Sequence, residues 1–148
     1  MIDAADLRIL ALLQSDSRIS WVQMAERVNL SASACQRRVE AMRNDGVIAR
    51  FTVDIDPAKI GLTIQAFVQI KVERQKTERA TAFRQRITSY PEVRAAYKLS
   101  GSVDYLVHIM VSDIKALSKF IDDKMLALDG VVDASSAIVL EDLDCSSS

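Results

Sequence analysis

The sequence predicts an α+β protein in which a helix-turn-helix unit precedes a ferredoxin-like βαββαβ domain. Apolar residues recur at helical spacing in three short segments before residue 50, and from residue 63 onward they also recur at the spacing of two that is typical of strands. A turn-rich connection at 56–62 separates the two patterns. The expected boundaries are 1–50 for the helical unit, 51–62 for a strand and linker, 63–142 for the second domain and 143–148 for a flexible tail.

Composition restricts the classes of protein to which the chain can belong. Of its 148 residues, 49% are hydrophobic and 26% are charged, and the net charge is −1, as expected for a folded globular chain. No apolar run is long enough to span a bilayer and the first residues lack a signal-peptide pattern, so we expect a cytoplasmic protein with no membrane partner. Cys35, Cys145 and His108 are too few for a zinc cluster, so we expect neither a metal nor a cofactor.

Capping residues and apolar spacing predict the first two helices. Asp3 is a suitable cap for the first helix, and Ser20 and Gln23 have the spacing of a capping box at the start of the second. Asn29, a residue type that tolerates the left-handed region, is placed for the tight turn that follows. The residues expected to face inward are Leu7, Leu10 and Leu13 in the first helix and Trp21, Ala25 and Val28 in the second.

The third helix is expected to begin after Ser31 as its cap and to end at Asp45, with Gly46 in the position that favours a left-handed residue. An apolar stripe of Cys35, Val39 and Met42 indicates the face that packs on the first two helices. Arg37 lies nearly opposite that stripe, while Arg38 and Arg43 lie on its shoulders.

The polar face of this third helix has the chemistry of major-groove recognition. Arginine pairs bidentately with guanine, glutamine pairs with adenine, and serine bonds phosphate or base edges. A solvated surface helix is the alternative, but the capped helix and short turn before it favour a helix-turn-helix. Arg38, on a shoulder, is expected to contact phosphate. The predicted residues that contact double-stranded DNA are Ser31, Ser33, Gln36, Arg37, Arg38 and Arg43.

The second domain is expected to alternate strands and helices in the order βαββαβ. The first strand places Ile64, Ala66, Val68, Ile70 and Val72 on one face, and the helix at 77–90 follows with Ala80, Phe83, Ile87 and Tyr90. Strands at 93–99 and 103–111 come next, joined by a tight turn. The second helix, capped by Asp113, has Ile114, Leu117, Ile121 and Leu128 as its stripe, and a last strand covers 131–142.

Three motifs occur in the order typical of one family. The chain resembles the Lrp/AsnC, or feast/famine, transcription regulators in the opening helix IDAADLRILALLQSDSRIS, in NLSASACQRRVEAMRNDGVIARFTVDIDPAKIGL, and in the turn SGSVDYL, over residues 2 to about 142. The resemblance implies a DNA-binding regulator whose helix-turn-helix is winged or wing-like. It also implies a homodimer and higher oligomers, often octamers, and a response to an amino acid or related small molecule. Ala32 and Ala34 stand where family members often have proline, and Gln36 stands where an apolar residue is frequent.

A glycine turn before the third strand is the candidate effector site. Gly101 permits close backbone approach, and an exposed Asp104 carboxylate is suited to an α-ammonium group, although an aspartate that stabilises its own hairpin is the alternative. The resemblance adds residues that align with effector-responsive positions of the family. The expected effector-binding set is Ser100, Gly101, Ser102, Asp104, Tyr105, Ile114, Ala137, Ile138 and Val139.

Two further expectations concern assembly and the alternative function. Phe67 points away from the helix-covered face of the first strand, so the open face of the sheet is expected to pack on a second subunit, with His108 as a core or interface residue. The alternative function is that of the sirohaem decarboxylases, which resemble this family in both domains. We favour the non-enzymatic regulator because such enzymes do not need an arginine-bearing recognition face.

Overall fold

The computed structural model describes residues 1–74 and 77–143. These residues form an N-terminal unit that ends at Asp54 and a second unit that begins at Ile55, so the division falls within the predicted linker. The predicted flexible tail, with Cys145, lies outside the described residues except for Leu143. Among the described residues, no helix combines the length and the apolar character that crossing a bilayer would require.

Three helices make up the N-terminal unit, and local caps fix their ends. They are α1 (Ala4–Ser15), α2 (Trp21–Val28) and α3 (Ala32–Asn44). The predicted capping box of α2 is confirmed, since Ser20 Oγ accepts a hydrogen bond from the Gln23 backbone N–H at 3.1 Å. Asn29 adopts φ 56°, and Ser31 Oγ caps α3 by accepting from the Ala34 N–H at 3.1 Å, both as predicted.

The core of this unit confirms the predicted face of α3 and corrects those of α1 and α2. Leu7 is 60% exposed and Trp21 is 38% exposed, so neither faces inward. Trp21 is the first residue of its helix, where a side chain lies over the turn before the helix begins. In α1 the buried face is shifted to include Asp6, which bonds to α3. The core residues are Ile9, Met24, Val28, Cys35, Val39 and Met42, with Leu10, Leu13 and Ala25 packed against them.

The strand expected within 51–62 is not formed. Residues 49–56 have no regular secondary structure, and a 3₁₀ turn at Pro57–Ile60 follows, capped by the side chain of Asp56. A strand requires a neighbouring strand to complete its backbone hydrogen bonds, and no strand among the described residues pairs with this segment. Residues 51–55 therefore leave large apolar side chains exposed, namely Phe51, Val53 and Ile55.

The second unit is a four-stranded antiparallel sheet with helices packed on one face, as the ferredoxin-like prediction requires. Its elements are β1 (Ile64–Val72), α4 (Thr77–Ser89), β2 (Val93–Lys98), β3 (Tyr105–Val111), α5 (Ile114–Phe120) and β4 (Val131–Ile138), and the strand order is β2-β3-β1-β4. The predicted alternation of β1 is confirmed, because Ala66, Val68 and Ile70 are fully buried. Phe83 and Ile87 of α4 pack on that face.

The helix after β3 includes a π-helical turn that the sequence does not predict. A π-helical turn at Ile121–Met125 follows α5 and adds a residue per turn, which rotates the buried face. Leu117, Phe120 and Met125 are buried, and Ile121 and Leu128 pack partly buried against the same core. The predicted stripe is therefore confirmed except at Ile114, which is 54% exposed in the first turn of α5.

Candidate nucleic-acid interface and effector site

Helix α3 presents its polar side chains on the face opposite its buried stripe. Ser31, Ser33, Gln36, Arg37 and Arg43 are exposed, as the sequence predicts for a recognition helix. Ser31 Oγ is already engaged in the cap and also lies 3.2 Å from Ser33 Oγ. The hydroxyls at the start of α3 therefore order the helix end, while the guanidinium and amide groups beyond them supply donors for base edges.

Two polar side chains of this face contact neighbours on or near α3. Gln36 Nε2 donates to Glu40 Oε1 at 3.3 Å, one helical turn further along. The Arg43 guanidinium carbon lies 5.6 Å from the centroid of the Phe51 ring, a cation–π contact. Arg37 has no ion pair among the described residues.

Arg38 is placed differently from the other arginines of α3. Its Nη1 donates to Asp3 Oδ2 at 2.7 Å and to Asp6 Oδ1 at 3.0 Å, so it joins α3 to the capping box of α1. The hydrogen bond from Arg38 is the largest cause that holds the pKa of Asp3 below its ordinary value. These bonds occupy Nη1, so the predicted phosphate contact would have to use the other N–H groups of the guanidinium. The Asp-x-x-Asp spacing at the start of α1 indicates a capping box, and no local signal in the sequence indicates its pairing with Arg38.

The glycine turn places Asp104 at the end of the sheet. Gly101 has φ +117°, in the region that favours glycine. The Asp104 N–H donates to the Ile70 carbonyl at 2.9 Å, and Asp104 Oδ2 accepts from the Val72 N–H at 2.8 Å. One carboxylate oxygen thus continues the hydrogen bonding of β1, a structural role that differs from the expected alternative, in which the aspartate stabilises its own hairpin. Asp104 is half-buried.

Tyr105, predicted with the effector residues, belongs to the core. Its side chain is buried, and its ring centroid lies 4.9 Å from that of Phe83. An effector at the turn could therefore meet the backbone of Tyr105 but not the buried face of its ring. The exposed members of the turn are Ser100, Gly101 and Ser102.

The predicted effector residues form two groups at opposite ends of the sheet. Ala137 pairs with Phe67, and the Val139 N–H donates to the Gln65 carbonyl, so 137–139 lie beside the start of β1. Ile114 lies shortly after Val111, the last residue of β3, and Val111 pairs with Ile64 at the start of β1. The Asp104 turn lies beside the end of β1, about 20 Å away at the rise of a strand. Within one chain, these groups do not make a single site.

The sheet face without helices carries a ring stack. Phe67 and His108 have ring centroids 4.7 Å apart and planes inclined by 13°, and His108 Nε2 lies 3.1 Å from Gln65 Oε1. Burial lowers the pKa of His108, and the positive charge of Arg94 lowers it further. His108 is thus a packed residue of the open face, in agreement with the prediction. The described residues contain no group of three or more ligating side chains suited to a metal ion.

Comparison with known families matches both parts of the chain. Residues 2–49 match the family described as winged helix-turn-helix DNA-binding, and residues 65–148 match the family described as Lrp/AsnC ligand binding domain. The chain is 34% identical over 143 residues to the DNA-binding transcriptional activator DecR of Escherichia coli K12, an alignment that covers 97% of this chain and 94% of DecR.

Solved structures match over nearly the full length. An AsnC family transcriptional regulator from Agrobacterium tumefaciens is 33% identical, with a TM-score of 0.92 and coverage of 99% of this chain and 95% of that one. The transcriptional regulator NMB0573 of Neisseria meningitidis, solved as an L-Met complex, is 32% identical, with a TM-score of 0.91 and coverage of 97% and 92%.

Proposed function

Because this chain belongs to the Lrp/AsnC family of transcriptional regulators, we propose that it binds specific DNA sites through α3 and that an amino acid or related small molecule, bound by its C-terminal domain, changes DNA binding or assembly. The observation that carries the proposal is the exposed row of arginine, glutamine and serine side chains on a capped helix whose opposite face is buried. It acts as a cytoplasmic regulator and not as an enzyme.

Each polar residue of α3 has its own part in DNA recognition. Arg37, opposite the buried stripe, reads a guanine edge, and Gln36 reads an adjacent base in the major groove. Ser33 contacts a base edge or phosphate near the start of α3, and Arg43 contacts a phosphate. Ser31 positions the helix through its cap, and Arg38 positions it through α1.

The effector site is completed by a second copy of the chain. The Asp104 turn binds the ammonium group of an amino acid, and the group at Ile114 and 137–139 supplies apolar contacts from another subunit. The separation of these two groups by the length of β1 supports a site built between subunits. The L-Met complex of NMB0573 supports an amino acid as the ligand.

A homodimer that assembles further, to an octamer, provides such subunit boundaries. The open sheet face carries the Phe67–His108 stack, and Leu106 and Met110 lie on the same face. Burial of this face against a second copy removes its apolar side chains from water and forms the dimer. Each dimer then presents two copies of α3 to DNA.

The proposal is tested by a mobility-shift assay with the purified protein. The probes are the DNA upstream of its own gene and a scrambled duplex of the same length and composition, each with and without single amino acids. Preferential binding of the upstream duplex, changed by at least one amino acid, is the expected result. Equal binding of both duplexes under every condition would contradict the function. A melting-temperature screen of the same amino acids identifies the effector independently, since a ligand of the native state raises the midpoint.

A further inference from the structure

A polar cleft lies in the N-terminal unit between the C-terminal half of α3 and the segment 48–51. Its lining includes Glu40, Arg43 and Asn44 from the helix and Arg50 and Phe51 from the segment. Sequence analysis included only Arg43 of these residues among the DNA contacts. Arg50 and Phe51 have not been assigned a role in the fold or in the proposed reading of bases.

The two arginines of this cleft are not neutralised by any side chain that the structure describes. Neither Arg43 nor Arg50 has an ion-pair partner within 4.0 Å among the described residues, in contrast to Arg38. Glu40 is the acidic residue of the lining. Its carboxylate accepts a hydrogen bond from Gln36, one helical turn earlier in α3. Two guanidinium groups and one carboxylate give the cleft a net positive charge.

Phe51 holds one of these arginines in place. Phe51 is 47% exposed, and the guanidinium carbon of Arg43 lies 5.6 Å from the centroid of its ring. A guanidinium that lies over an aromatic ring keeps its N–H groups free to donate hydrogen bonds. It also loses less conformational freedom on binding an anion than an unrestrained side chain does. An exposed phenylalanine outside any regular element is accounted for by this contact.

We propose that Arg43 and Arg50 together bind a backbone phosphate of DNA, with Phe51 as the positioning residue for Arg43. The inference rests on the proposed function and adds a site to it. Helix-turn-helix proteins read bases with the N-terminal residues of the recognition helix, so the C-terminal half of α3 lies nearer the backbone. Paired guanidinium groups suit the oxygens of a phosphodiester, and Glu40 limits how tightly the cleft holds any DNA.

The test uses the full-length protein and a series of salt concentrations. Binding to the upstream duplex and to the scrambled duplex is measured by fluorescence anisotropy for wild type, Arg50→Ala, Phe51→Ala, Phe51→Trp and Glu40→Gln. Arg84→Ala is the matched control, since Arg84 is exposed on α4 in the other unit and its loss changes the net charge equally. Melting curves of each variant without DNA establish that it is folded.

Loss of a phosphate contact has a defined signature. Arg50→Ala is expected to weaken binding to both duplexes by the same factor and to reduce the slope of log affinity against log salt by about one unit. Phe51→Ala, which changes no charge, is expected to weaken both about two- to fivefold, with Phe51→Trp restoring wild-type affinity. Glu40→Gln is expected to tighten both, and Arg84→Ala to change neither.

The experiment distinguishes failure of the cleft proposal from failure of the proposed DNA-binding function. A folded Arg50→Ala with the wild-type salt slope, or Phe51→Ala with wild-type affinity, overturns the cleft while specific binding by the wild type stands. A wild-type protein that binds no DNA overturns both. In a parallel series, the melting temperatures of wild type and Arg50→Ala are measured with inorganic phosphate. We expect phosphate to change both melting temperatures by the same amount. Stabilisation by phosphate that depends on Arg50 would show that the cleft is a free-anion site instead.

Discussion

Arg38 Nη1 lies 3.0 Å from Asp6 Oδ1, and this contact ties the recognition helix to the buried side of α1. The Asp6 side chain is 9% exposed, so its carboxylate depends on Arg38 for compensation. The same guanidinium nitrogen bonds Asp3, which caps α1. The orientation of α3 is therefore coupled to the start of the chain, and Arg38 is expected to act on DNA binding through position.

Substitution of Arg38 separates a positioning role from a phosphate contact. Arg38→Ala is expected to lower the melting temperature by several degrees and to weaken binding to all DNA, because Asp6 is left buried without its partner. The salt dependence of DNA binding should keep its wild-type slope. Arg38→Lys, which retains a charge for the carboxylates, should recover part of the stability. An unchanged melting temperature with a slope reduced by about one unit would instead make Arg38 the phosphate contact that its place on α3 suggests.

The ion pair also predicts how acid affects stability. Because Arg38 lowers the pKa of Asp3, the contribution of this carboxylate is complete above its unfolded value of 3.8 and is lost as pH falls through the lower folded value. The difference in melting temperature between wild type and Asp3→Asn should therefore shrink below about pH 4. Melting curves recorded from neutral to acidic pH measure it. A difference that stays constant across this range would show that the charge of Asp3 does not stabilise the fold.

His108 predicts a second pH dependence of stability, at higher pH than that of Asp3. Its pKa is lowered mainly by burial, so the folded protein disfavours the imidazolium and loses stability as pH falls below 6.5 toward the folded value. Wild type should become less stable, and less associated, over this range, whereas His108→Gln should lack that component. Light scattering and melting curves with both proteins measure the effect. Identical pH profiles would mean that the Phe67–His108 stack tolerates the charge.

Asp104 has a structural bond and a proposed ligand contact, and two substitutions separate them. Asp104→Asn keeps an oxygen for the Val72 N–H and removes the charge, so the fold should be retained. Effector binding should weaken by about 1.5–3 kcal/mol, the value of a hydrogen bond to a charged group. Asp104→Ala should lower the melting temperature as well. Calorimetry with the identified amino acid gives the affinity. An Asp104→Asn protein with wild-type affinity would show that Asp104 has only a structural role in the sheet.

Local signals predicted the helix ends, and packing determined the faces. The caps at Ser20, Asn29 and Ser31 depend on residues four or fewer positions away, so the sequence was sufficient. Leu7 and Trp21 satisfy the same periodicity as the true core residues, and only the position of a neighbouring helix selects between overlapping faces. The π-helical turn after α5 has no pattern in sequence that marks the extra residue.

The same distinction between local signals and packing applies to the candidate sites. The exposed face of α3 could be predicted because its buried stripe is unambiguous. The pairing of Arg38 with Asp3 spans 35 positions, and the distance between the Asp104 turn and residues 137–139 depends on sheet order. Neither follows from local spacing. The sequence predicts Arg50 at the end of the helical unit and Phe51 at the start of a strand, and only the folded chain places them beside Arg43.

Arg37 tests the central claim most directly, because it lies opposite the buried stripe and has no ion pair among the described residues. The measurement is the affinity of wild type and Arg37→Ala for a set of duplexes in which each position of the operator is varied singly, with Arg84→Ala as the control. Arg37→Ala is expected to lose about 1–3 kcal/mol on the operator and to lose base preference at one position while the others are kept. A folded Arg37→Ala protein with the wild-type affinity and the wild-type preference at every position would contradict recognition of DNA by α3.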